Sequence, residues 1–157
     1  AYRPAMLKGQ FDVLVGNPPW LAYRYIEDPD YQTEVKRRAV DEYGIAPRQQ
    51  KLITQMELAT LFLIHSLQTF GRNGARLAFV MPHSVWSADQ HSPLREAKYR
   101  ASVTISALWD LQGVTPLFNV PSGVLFAKRQ VPTREAHAQM PLRTWTGRLQ
   151  DHNATWD

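Results

Sequence analysis

Two adjacent prolines directly behind a short apolar run constrain this chain more than any other feature. Phe11-Asp-Val-Leu-Val-Gly16 is apolar and β-branched over the length of an ordinary strand, and Asn17-Pro18-Pro19 cannot prolong it, because proline has no N–H to give to a ladder. The pattern predicts a buried strand that stops at a rigid turn. Arg76 to Met81 repeats the signature and is stopped by Pro82, while Val103 to Trp109 and Gly123 to Ala127 are two further strand-like runs. Helical spacing connects the first two: Val35, Ala39, Val40 and Tyr43 form a short stripe behind Thr33 as cap, ending near Gly44. From Glu57 to Phe70 the apolar residues cover more than one stripe, as in a helix with little exposure. Gly71 and Gly74 are expected to close that helix, and Ser92-Pro93 offers a cap and first-turn proline for another reaching about Tyr99. The fourth strand follows the third without a helix and is therefore expected to lie antiparallel to a neighbour. The fold class implied is α/β, a mostly parallel sheet with one antiparallel strand, covered by helices on both faces. Ligands are then expected at the carboxyl ends of strands, where Asn17 to Trp20 and Pro82 to Trp86 fall.

Composition removes several classes of function. An apolar content of 44% with 20% charged residues is that of a chain that folds. The absence of cysteine excludes disulfides and thiolate zinc, and the five histidines show no close ligand spacing, so no metal site is expected. No apolar stretch approaches the roughly 18 residues of a membrane span, and the first residues carry no leader-like pattern; a cytoplasmic protein without a membrane partner is expected. The net charge of +4 fits a polyanion such as DNA, and fits a solvated basic surface equally well. Ser84 beside His83, with Asp89 nearby, lacks the Gly-x-Ser-x-Gly elbow of a hydrolase.

The turn itself suits one kind of chemistry. Methylating an exocyclic amine requires holding a planar NH2 group, drawing its lone pair out of conjugation, and aiming it at a methyl donor. The Asn17 side-chain oxygen and the Pro18 carbonyl can each accept one N–H, and Pro19 freezes that carbonyl in place. Trp20 offers a face for the base. A base inside a duplex must first be extruded, and stacking worth about 1–3 kcal/mol per base helps offset that cost.

Phe-Asp-Val-Leu-Val-Gly-Asn-Pro-Pro-Trp resembles the catalytic motif of the adenine-N6 DNA methyltransferases of restriction-modification and phage-defence enzymes. The likeness continues through the helix ending at Asn73-Gly74, through Arg76 to Pro82 with Ser84 and Trp86, and through Leu117-Phe-Asn-Val-Pro-Ser-Gly-Val124, spanning about 11–129. It implies a partial Rossmann-like sheet of the S-adenosylmethionine-dependent methyltransferases, and transfer of a methyl group from that cofactor to adenine N6 in DNA. It also implies residue roles: Asn17, Pro18, Pro19 and Trp20 bind and activate the base, Phe118 touches its far edge, and Phe62 packs on the cofactor's adenine. Phe62 on an apolar helix also fits plain core. The cluster Arg24, Lys36, Arg37, Arg38, Arg48 and Lys51 is expected at DNA phosphates, or else on a solvated face.

The pattern also departs from the family. The glycine-rich cofactor loop, the acidic ribose-binding residue and three strands belong ahead of the catalytic motif, and only ten residues precede Phe11. Glu57 stands where relatives often carry Asp or Asn. Residues 1–130 are therefore expected to be the catalytic-motif half of a methyltransferase domain, inactive alone and binding S-adenosylmethionine weakly or not at all. Residues 131–157 are expected to be a linker or the start of a target-recognition domain. The partners implied are DNA, the remaining N-terminal half, and a recognition domain or subunit. Two alternatives stay open: an Asn-Pro-Pro methyltransferase acting on ribosomal-RNA guanine or protein glutamine, and a non-catalytic DNA-binding fragment.

Overall fold

A computed structural model describes residues 4–47, 49–132 and 140–150. Its centre is a five-stranded sheet in the order β1-β2-β4-β3-β5, built from Phe11–Gly16, Gly71–Pro82, Ser122–Lys128, Thr104–Thr115 and Leu142–Arg148. β1 pairs parallel with β2 and β3 parallel with β5, while β4 runs antiparallel to both of its neighbours. The single reversed strand is the one reached without a helix. With no crossover to carry the chain back, Gly123 to Ala127 can only return in the opposite sense.

Burial alternates along β2 and β4, with Leu77, Phe79 and Met81, and Leu125 and Ala127, on the packed face. Helix α3, Leu58–Phe70, lies over that face, and its apolar residues run round its circumference because it is covered on both sides. The sheet is on one side. On the other an outer layer contributes Val35, Ala39 and Tyr43 from α1, Pro29–Arg37, and the π turn that follows, with Ile53 from α2, Gln50–Ile53. Val85 of α4, Ser84–Ser87, and Leu94 of α5, Ser92–Arg95, pack towards Ile105, Leu108 and Leu125 on that same face.

Several expectations change. The first helix starts at Pro29 rather than behind Thr33, because Asp28 Oδ1 accepts from the N–H groups of Asp30 at 2.9 Å and Tyr31 at 3.1 Å and Pro29 needs no such partner. Gly71 does not close α3 in a left-handed turn; it is extended and already belongs to β2, and a Cβ there would meet Leu67 O at 2.8 Å. The helix expected to reach Tyr99 is a single turn, Ser92–Arg95. A fifth strand that no apolar pattern marks, Leu142–Arg148, pairs with β3 in the same sheet.

Two corrections concern the sheet as a whole. The first strand is not buried: β1 is an edge strand, with Val13 58% and Val15 78% exposed. Nor do helices cover both faces. The face that carries Val13, Val15, Ala78, Val124 and Trp109 is left half-buried or exposed among the described residues. Among them, too, no helix is long and apolar enough to cross a membrane.

Candidate active site

The parallel pairing of β1 with β2 brings Gly16 opposite Phe79, so the chain leaves β1 at the carboxyl end of the sheet with Asn17 outward. Asn17 is exposed, Pro18 is buried and Pro19 is exposed. The buried proline anchors the turn while its neighbour stays accessible. Among the described residues no hydrogen bond engages the Asn17 side chain or the Pro18 carbonyl, so both acceptors remain available. They lie on a cleft of about 480 Å³ whose wall includes Gly16, Pro19, Phe62, Ser66, Phe70 and Phe79. Phe62 is half-buried there. Asn17 and Phe62, far apart in sequence, thus share one cavity, because α3 crosses from β1 to β2 directly above it.

Trp20 is held apart from that cleft's wall. Its indole Nε1–H donates to the Val80 carbonyl of β2 at 3.2 Å, and its ring meets Phe118 edge to face with centroids 5.8 Å apart. Phe118 is 45% exposed, on the segment between β3 and β4. That segment is tied to the end of β2 by the His83 N–H, which donates to Pro121 O at 2.8 Å. Both aromatic rings therefore take their positions from the last residues of β2.

Beneath them lies a polar cluster with no sequence signal, because its hydrogen bonds join residues 27 to 34 positions apart. Glu57 accepts from Ser84 Oγ at 2.6 Å, from Gln90 Nε2 at 3.4 Å, and from His91 Nε2. His91 is 1% exposed, and its Nδ1 meets the Thr60 hydroxyl at 2.9 Å. Burial opposes charge on Glu57, but the hydrogen bonds from His91 and Ser84 outweigh it and hold the carboxyl below its usual range. Ser84 bonds to a carboxylate, and His83 pairs with Ser87 at 3.0 Å, so this serine and histidine are not arranged as a hydrolase would need them.

The basic cluster divides. Arg37 pairs with Glu34 at 2.7 Å and Glu42 at 3.2 Å, and Arg38 pairs with Glu34 at 2.6 Å. Hydrogen bonds from both arginines bring the Glu34 carboxyl down to about 2. These charges are balanced within the helix. Lys36 and Lys51 are exposed, and Arg24 lies over the Tyr25 ring at 4.8 Å, a few residues past the turn at 17–20. Arg48 lies outside the described residues.

Residues 2–118 match the model of the Eco57I restriction-modification methylases. The chain belongs to that family. The chain is also similar to solved structures, at the level of fold. A protein described as a class I S-adenosylmethionine-dependent methyltransferase, from Listeria monocytogenes, superposes over 90% of the chain with a TM-score of 0.60 and 13% identity. The modification subunit of a type I restriction enzyme from Vibrio vulnificus matches over 78% of it, with a TM-score of 0.46 and 21% identity. The chain spans 38% of the first protein and 23% of the second. No curated protein matches it.

Proposed function

We propose that this methylase chain carries the base-binding and amine-activating part of an enzyme that transfers a methyl group from S-adenosylmethionine to adenine N6 in DNA. The observation that carries this reading is the pair of unengaged acceptors, Asn17 Oδ1 and the Pro18 carbonyl, side by side on an open cleft at the carboxyl end of β1. Two acceptors on one amine draw both N–H bonds into a plane that no longer favours conjugation with the ring, which leaves the nitrogen lone pair free to form a bond to carbon. The proton lost from the methylated amine passes to solvent through the open cleft, because an amide oxygen orients an N–H but is too weakly basic to keep its proton. Trp20, pinned through its indole N–H, gives the base a fixed face, and Phe118 borders it.

S-adenosylmethionine supplies the electrophilic methyl group when bound. Among the residues of this chain, Phe62 fits it, as an aromatic wall for its adenine ring on the cleft that Asn17 borders. No Gly-x-Gly cofactor loop accompanies it in this sequence. The rest of the cofactor site is therefore assigned to a preceding methyltransferase segment, 1–130 being the catalytic-motif half and 131–157 the passage towards a recognition domain. Lys36, Lys51 and Arg24 are the cations best placed for DNA phosphates, since Arg37 and Arg38 are already engaged with carboxylates.

The test is transfer of tritiated methyl by the full protein to DNA, RNA and protein, with Asn17→Ala alongside. Label is expected in DNA at adenine, and Asn17→Ala is expected to lower kcat by about 10²-fold or more, as loss of one transition-state hydrogen bond does. Label confined to RNA or protein moves the substrate, and transfer that survives Asn17→Ala removes the site.

A further inference from the structure

Trp20 and the end of β2 are joined twice. One link is the indole N–H of Trp20 on Val80 O. The other runs through Glu57. Its backbone forms an isolated antiparallel bridge with Ala22, the neighbouring Leu58 N–H donates to Leu21 O at 2.8 Å, and its carboxylate takes the Ser84 hydroxyl just past Pro82. Glu57 thus links the two, its backbone paired with the segment after Trp20 and its carboxylate bonded to the turn after β2. That turn also holds the Phe118 segment, through His83 and Pro121.

The cluster behind Glu57 is built for this duty. A carboxylate only accepts, and here its oxygens face three donors, from Ser84, Gln90 and His91. His91 turns Nε2 to Glu57 and Nδ1 to the Thr60 hydroxyl, so both ring nitrogens of the buried imidazole have a hydrogen-bond partner. Thr60 lies on the first turn of α3, close to Phe62 on the same helix. The network therefore anchors the helix at the same point.

We propose that Glu57, backed by His91, is the positioning residue of the base pocket, holding Trp20 and the Phe118 segment at their separation by joining the catalytic turn to the end of β2. It touches neither base nor cofactor and acts through Trp20. The inference rests on the methyltransferase reading for its effect on rate, but the coupling of Glu57 to Trp20 can be measured without turnover.

The experiment compares Glu57→Ala, Glu57→Gln and Asn17→Ala in the intact methylase, by steady-state methyl transfer and by hydrogen exchange at the Trp20 indole N–H. Misplacing a pocket wall lowers rate more than cofactor binding. In Glu57→Ala, kcat is expected to fall by about 10²-fold with KM for S-adenosylmethionine little changed, and the Trp20 indole is expected to lose exchange protection. Glu57→Gln keeps an acceptor for His91 and should recover most of both. Asn17→Ala should lose the rate and keep the protection. The proposal is overturned by Glu57→Ala with native Trp20 protection, by a KM that rises in step with the fall in kcat, or by Glu57→Gln no better than the alanine. If the wild-type protein transfers no methyl group to any substrate, the functional reading fails, and indole exchange alone decides the role of Glu57. Should Glu57→Ala not fold, His91→Gln is expected to weaken Trp20 protection, and unaltered protection there counts against the proposal.

Discussion

Glu57 and Asn17 stand at opposite ends of what one residue can reveal. Asn17 is legible because its chemistry is local: an amide and the next carbonyl, frozen by proline, mean much the same wherever the turn sits. Glu57 is a lone acid before an apolar helix, and nothing near it in sequence announces Ser84, Gln90 or His91. Its environment carries a pH consequence. The folded carboxyl is held below the ordinary value of 4.5, so its contribution to stability is present above that value and is lost as pH falls through the depressed one. The difference in unfolding free energy between the wild type and Glu57→Gln is therefore expected to be largest near neutrality and to shrink on acidification below about pH 4.5. Denaturant titrations at several pH values check this, and a difference that stays level into the acid range contradicts it.

Elements are where sequence patterns served least evenly. The long helix, the second strand and the reversed fourth strand lie near where apolar spacing and prolines put them, because each signal spans a whole element. The first helix starts early, since an Asp-Pro cap competes with a threonine further on and wins by offering two hydrogen bonds. The turns after β2 are too short for periodicity to register, and they depend on packing instead. Trp86 of α4 lies on Gly123 of β4, where a Cβ would come within 2.7 Å of the indole ring and also meet the Trp109 carbonyl. Gly123→Ala must push the α4 turn or β3 aside, at a cost of about 1–3 kcal/mol. A lowered thermal midpoint is expected, together with a disturbed Trp86 signal, and an unchanged midpoint would show that the contact yields freely.

At the scale of the molecule, the sheet is lopsided. Among the described residues its helices lie over one face, and β1, which leads into the Asn17-Pro18-Pro19 turn, is at an edge with Val13 and Val15 open. A parallel strand with this composition belongs in the middle of a sheet. The cleft beside it is lined mainly by apolar side chains, Phe62, Phe70 and Phe79 among them, with Asn17 and Ser66 as its polar side chains. The 157-residue chain by itself is accordingly expected to bind S-adenosylmethionine no tighter than about the millimolar range, where roughly 4 kcal/mol of binding energy remains. Calorimetry giving micromolar affinity for the lone chain overturns that. What the sequence determined unaided is what short-range covalent chemistry can enforce: the strand that ends at Pro18-Pro19, the acceptors it presents, and the reversal of the fourth strand. The edge position of β1, the meeting of Phe62 with Asn17, the pairing of Arg37 and Arg38 with Glu34, and the Glu57 to His91 cluster were decided only by tertiary structure. Each depends on which distant side chains compete for the same space and hydrogen bonds, and that competition is settled by packing, after the local pattern has been spent.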